Sequence, residues 1–228
     1  MSDHLTEEEQ LENLKRLWKE YGTTVIASVV VATAGYFGWN YWQDAEQQRL
    51  ENASNRYEEL VTAVGSANAP QADDAEASKA TVSHLSEQIK STASDSAYAV
   101  QGAFFAAKKA VESGDLTAAE GELQWVLANA DSEAMKEVAR IRLARVLAAK
   151  GDFSAALNQV SSEPAAGFAA EQAEVRGDIL RQNGDSAAAL TAYEKALESL
   201  TGDQQQRRMV LQMKIDNTKP ASSEEPSA

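Results

Sequence analysis

Residues 177–189 read GDILRQNGDSAAA, and two earlier stretches follow the same plan: AKKAVESGDLTAA at 107–119 and ARVLAAKGDFSAA at 144–156. In each, a Gly-Asp pair (Gly114-Asp115, Gly151-Asp152, Gly184-Asp185) separates two alanine- and charge-rich runs, at intervals of 37 and 33 residues. Glycine takes the left-handed conformation that ends a helix, and aspartate accepts from the free amides that begin the next one. Seven residues before each glycine stands Ala107, Ala144 or Gly177, and five after it Ala119, Ala156 or Ala189. Ala110, Leu147 and Leu180 stand four before it. Small side chains at such places let the two helices of a hairpin approach closely, while larger ones fill the space between hairpins. Three phased hairpins of about 34 residues predict a helical solenoid over residues 96–216.

Working outward, residues 44–64 read as a helix with Leu50, Tyr57, Leu60, Val61 and Val64 on its apolar side. Residues 65–74, with Pro70, read as a loop. Residues 75–92 read as a second helix with Val82, Leu85 and Ile89 on one face, and His84 among them as an incidental polar residue. Residues 43–95 are thus a helical stem and first hairpin. Beyond the third Gly-Asp hairpin, residues 203–216 are expected to cap the open end through Met209, Val210 and Met213. Residues 217–228 are polar, contain Pro220 and Pro226, and are expected to be disordered.

Toward the other end, residues 23–42 (TTVIASVVVATAGYFGWNYW) carry no charged side chain. At about 1.5 Å per residue they reach roughly the 30 Å of a bilayer's hydrocarbon core. Trp18 and Tyr21 precede the run and Trp39, Tyr41 and Trp42 close it, the pattern of two interfacial aromatic belts. A buried core helix and a signal peptide cleaved near Ala32-Thr33-Ala34 are the competing readings, and a flat interfacial helix would need a polar face that is missing here. Lys15, Arg16 and Lys19 lie before the run, whereas Arg49 and Arg56 are further away on the other flank. By the positive-inside rule, residues 1–22 are then cytoplasmic and the large domain lies outside. Ser28 with Ala32, and Ala34 with Gly38, are small residues spaced four apart, a spacing that suits close helix approach.

Composition limits the chemistry. The chain of 228 residues has a net charge of −14, which repels nucleic acid, and no basic stripe interrupts it. It has no cysteine and only two histidines, His4 and His84, so thiol catalysis, disulfides and most zinc or nucleophile–base arrangements are ruled out. No glycine-rich phosphate loop or dinucleotide fingerprint occurs. Paired carboxylates such as Glu58/Glu59 and Glu224/Glu225 read as solvated charges. No catalytic residue, cofactor site or metal site is expected, and the sequence points to a non-enzymatic interaction protein.

The hairpins resemble the tetratricopeptide repeat. The third matches best, with Gly177, Gly184-Asp185, Ala189, Tyr193 and Ala196 at the family's small and aromatic positions. The first two carry Leu123 and Val160 in place of Tyr193, and the second helix of the second hairpin is short, ending around 161–164. In such arrays the first helix of each hairpin supplies a concave binding surface. By position that surface would include Phe104, Lys108, Ile141, Arg145, Glu174, Asp178 and Arg181.

A short acidic N-terminus, LWKEYG (residues 17–22) before one span, an aromatic WNYW exit (39–42) and degenerate helical repeats together resemble the YfgM-like family of ancillary SecYEG translocon subunits. That resemblance implies an all-α inner-membrane protein anchored in the lipid bilayer through residues 23–42, with a periplasmic domain. It also implies association with the SecYEG translocon and with PpiD, a membrane-anchored periplasmic chaperone. The implied role is to pass newly translocated secreted client proteins to periplasmic chaperones. Two other classes remain open from the sequence: a membrane-tethered scaffold for envelope assembly, and a regulator acting through its cytoplasmic N-terminus.

Overall fold

The computed structural model describes residues 7–67, 75–202 and 204–219. Among these residues the chain forms nine helices and no strand: α1 (Glu7–Ala67), α2 (Ala75–Thr92), α3 (Ala97–Glu112), α4 (Leu116–Asn129), α5 (Glu133–Ala149), α6 (Phe153–Gln159), α7 (Ala169–Gln182), α8 (Ser186–Glu198) and α9 (Gln205–Thr218). They fall into two compact units, residues 1–51 and 52–228. The expected disordered tail begins too early, because Asn217 and Thr218 still belong to α9 and Thr218 is buried; its residues from 220 onward lie outside the described residues, as does 68–74 of the expected loop. Gly65 to Ala67, expected in the loop, still belong to α1; one solvent-facing glycine costs a helix only about 1 kcal/mol.

In the first unit, the uncharged run lies within α1, the one described helix long and apolar enough to cross a membrane. Its side chains are exposed: Val25, Val29, Val31 and Phe37 are 50%, 59%, 70% and 65% accessible. It is therefore not a core helix of the described fold. Two of its hydroxyls bond within the helix, Ser28 Oγ donating to Thr24 O at 2.8 Å and Thr33 Oγ1 to Val29 O at 2.7 Å. Such bonds leave little polar surface facing outward.

The second unit is built of hairpins α3/α4, α5/α6 and α7/α8. Each turn has one geometry. Gly114, Gly151 and Gly184 sit at φ of +80°, +85° and +88°. The amides of Asp115, Asp152 and Asp185 then reach back to Ala110, Leu147 and Leu180 carbonyls at 2.8, 3.0 and 2.9 Å, closing three Schellman motifs. The same three carboxylates accept from Ala118, Ala155 and Ala188 amides at 3.0 Å, capping the following helices.

The phased small residues lie where the hairpin helices meet. Ala107, Ala144, Gly177, Ala119, Ala156 and Ala189 are all buried. Gly177 faces the ring of Tyr193, which is fully buried and donates its hydroxyl to Asp178 Oδ1 at 2.8 Å. Burial, with Asp178 adding to it, pushes the Tyr193 phenol well above its ordinary pKa. Where Tyr193 is replaced by the smaller Leu123 or Val160, the residue in phase with Gly177 is alanine instead of glycine. Between the second and third hairpins the fully buried Glu137 carboxylate pairs with Arg140 at 2.8 Å and accepts from Gln172 at 3.2 Å. Gln172 also donates to Ser162 O at 3.1 Å, tying the α6–α7 connection to both helices.

The face that α9 buries differs from the expected one. Leu211, Ile215 and Thr218 are buried against the last hairpin, whereas Met209, Val210 and Met213 are 66%, 41% and 57% exposed. Both sets make helical stripes. Leu211 and Ile215 meet the apolar surface of α8, and ion pairs from Lys214 and Arg207 to α7 are made in the same orientation.

Candidate functional site: a groove between α3 and α5

An apolar groove of about 340 Å³ opens between α3 and α5. Phe104, Leu123 and Val146 are its buried walls, and Val111, 45% exposed, stands at its edge. Four charged residues surround this floor: Lys108, Arg142, Arg145 and Glu112.

One lining residue breaks the repeat pattern. Counting by the repeat intervals, Arg142 stands in phase with Phe105 and Val175 on the flanking hairpins. Val175 is fully buried, whereas Arg142 is exposed and holds its guanidinium carbon 4.7 Å from the centre of the Phe104 ring. A guanidinium over an aromatic face is attracted by the ring's quadrupole, so Arg142 lies along the groove with its donors still available. Partial burial pulls the Arg142 pKa below its ordinary value and the adjacent Arg145 charge acts in the same direction, while the Glu171 carboxylate opposes both.

The other charges are engaged. Arg145 pairs with Glu171 of α7 at 3.1 Å. Glu112 accepts from Lys109 at 2.8 Å and lies 3.7 Å from Lys108. The Lys109 hydrogen bond holds the Glu112 carboxyl below the usual carboxylate range. Among the described residues no carboxylate lies within ion-pair distance of Arg142, and no described acidic or histidine cluster could hold a metal ion. His84 is exposed and shares a 2.8 Å contact with Gln88.

The seven residues expected on the concave surface are divided by the fold. Phe104, Lys108 and Arg145 line the groove. Ile141 is 1% exposed and belongs to the core. Glu174 and Asp178 face α9: Lys214 Nζ lies 2.8 Å from both, and Arg207 lies 3.0 Å from Glu174. Burial works against ionisation of Glu174, but Lys214 and Arg207 outweigh it and hold its carboxyl below the usual range. Arg181 is exposed in the last turn of α7, away from the groove lining. Arg142, Val111 and Val146 were missed by position counting along the first helices. The repeat phase carries the signal for Arg142, since a cation there breaks the pattern set by Phe105 and Val175.

Comparison with known proteins agrees with this architecture. The family model described as "Tetratricopeptide repeat-like domain" matches residues 15–219. A Haemophilus influenzae protein named "Ancillary SecYEG translocon subunit" is 33% identical over 217 residues, covering 95% of this chain and 100% of the relative. Proteins of the same name from Neisseria gonorrhoeae and Escherichia coli are 31% and 29% identical, over 96% and 95% of this chain and 100% and 98% of the relatives. No solved structure matches the chain significantly. With one apolar N-terminal helix, phased helical hairpins and matches across nearly its whole length, the chain belongs to the ancillary SecYEG translocon subunit family, whose helical body is a tetratricopeptide repeat-like domain.

Proposed function

We propose that this protein is a non-enzymatic, membrane-anchored ancillary subunit of the SecYEG translocon, and that it passes newly translocated proteins to a PpiD-like periplasmic chaperone. The observation that carries the reading is the near-full-length similarity to relatives named for that complex. In this reading residues 1–22 are cytoplasmic, residues 23–42 span the inner membrane and the hairpin domain is periplasmic. The exposed apolar run of α1 supports a lipid contact, and the basic flank supports the orientation. The hairpin domain acts by binding, and its partner surface centres on the groove of Phe104, Lys108 and Arg145. An anchor at the exit site raises the effective concentration of such a surface for emerging chains.

The test is in-cell crosslinking of the full-length protein followed by mass spectrometry. Translocon subunits together with a periplasmic chaperone are the expected partners. Envelope-assembly enzymes without any translocon component would overturn the assignment.

A further inference from the structure

The groove has two chemically different halves, and each limits what can occupy it. Phe104, Leu123 and Val146, with Val111 at the rim, offer an apolar seat too open to be an interior cavity. Beside that seat lies Arg142, whose side chain is exposed and has no hydrogen bond or ion pair among the described residues, although it feels the charge of Glu171, which is paired with Arg145. Contact with the Phe104 ring satisfies none of a guanidinium's five N–H donors, which match a carboxylate in geometry. Arg145 is committed to Glu171, and Lys108 and Lys109 flank Glu112. The charged residues lining the groove are thus three basic and one acidic, on a chain whose net charge is −14. A carboxylate repelled by most of this protein is attracted here.

We propose that this groove binds an extended segment of a partner protein in which an apolar side chain neighbours an acidic one. The apolar side chain seats on Phe104, Leu123 and Val146, and the carboxylate of an Asp or Glu side chain pairs with Arg142. The inference rests on reading the groove as the partner surface and adds the chemistry of the segment it selects. Basic segments are disfavoured by the local charge. Neutral ones lose the ion pair but keep the apolar contact.

The test uses the full chain in detergent micelles and fluorescent ten-residue peptides, acetylated and amidated so that no terminal carboxylate contributes. Leucine alternates with aspartate in one peptide, with asparagine in a second and with lysine in a third. The aspartate peptide is expected to bind about tenfold more tightly than the asparagine peptide at low salt, with the margin shrinking as salt rises. Arg142→Glu should abolish that margin or invert it toward the lysine peptide, while Arg208→Glu, an exposed cation on α9, should leave it intact. Arg142→Gln, which keeps the side chain's bulk, should bind the aspartate and asparagine peptides alike, and circular dichroism checks that both variants fold. Equal binding of aspartate and asparagine peptides by the unaltered protein, or an unchanged margin in Arg142→Glu, overturns the proposal. So does binding of no peptide, or self-association of the chain that is lost in Arg142→Glu. Peptide selectivity is read on the purified protein and translocon association by crosslinking in cells, so each can fail without the other.

Discussion

Replacing Gly177 with alanine tests whether hairpin packing is set by the pairing of a small residue with a large one. A Cβ built on Gly177 lies 2.5, 2.6 and 3.0 Å from Tyr193 Cε1, Cδ1 and Cζ. Favourable carbon–carbon contact needs about 3.5–4.0 Å, so the ring or the helix must give by about 1 Å. The ring cannot easily yield, because it is fully buried and its hydroxyl is held by Asp178 at 2.8 Å. Overpacking of this kind costs about 1–3 kcal/mol. Alanine regains about 1 kcal/mol of helix propensity over glycine, which leaves a net loss of about 0–2 kcal/mol. For a unit of this size that is a fall in Tm of up to roughly 8 °C. Gly121 is the control: it lies in α4 with nothing within 4 Å of an added Cβ, so Gly121→Ala should raise Tm by about 2–4 °C. Adding Tyr193→Leu to Gly177→Ala recreates the Ala107–Leu123 pairing of the first hairpin. The double variant should therefore lose less than the two single losses summed. The assay is thermal unfolding of the full chain in detergent, followed by circular dichroism. A Gly177→Ala protein as stable as Gly121→Ala would refute the reasoning.

Two further outcomes follow from polar groups. Ser86 Oγ is fully buried, has no hydrogen-bond partner among the described residues and abuts Gly102, so Ser86→Ala should be neutral or stabilise the domain by about 1 kcal/mol; a clear loss of stability would show that the hydroxyl has a partner. Glu174 titrates below its ordinary value of 4.5 because Lys214 and Arg207 outweigh its burial. Its stabilisation is therefore complete above the unfolded pKa and is lost as pH falls through the folded one. Glu174→Gln should cost about 1 kcal/mol at neutral pH and flatten the decline of Tm as the pH falls below the ordinary carboxylate value of 4.5. Acid limbs that superimpose would show that α9 is not held by this charge.

The architecture was legible in the sequence because its signals are local. A left-handed glycine followed by a capping aspartate involves a few consecutive residues, and the same dihedral preferences act in any context. The phase of Ala107, Ala144 and Gly177 is likewise a property of helical periodicity, and an uncharged run of bilayer length needs no partner to be recognised. The candidate site is different in kind. Phe104, Ile141 and Glu174 occupy equivalent places along their helices, yet one lines a groove, one is core and one is engaged by α9. Their fates depend on how closely neighbouring helices approach, which is decided by side chains 33 to 40 residues away, such as Arg142 on Phe104 and Lys214 on Glu174. The choice of face on α9 has the same origin. Met209 with Met213 and Leu211 with Ile215 are equally good stripes on an isolated helix, and only the ion pairs to α7 and the apolar surface of α8 discriminate between them. Periodicity determines that a helix has an apolar face; the neighbour it meets in three dimensions decides which face is used and where a gap is left open.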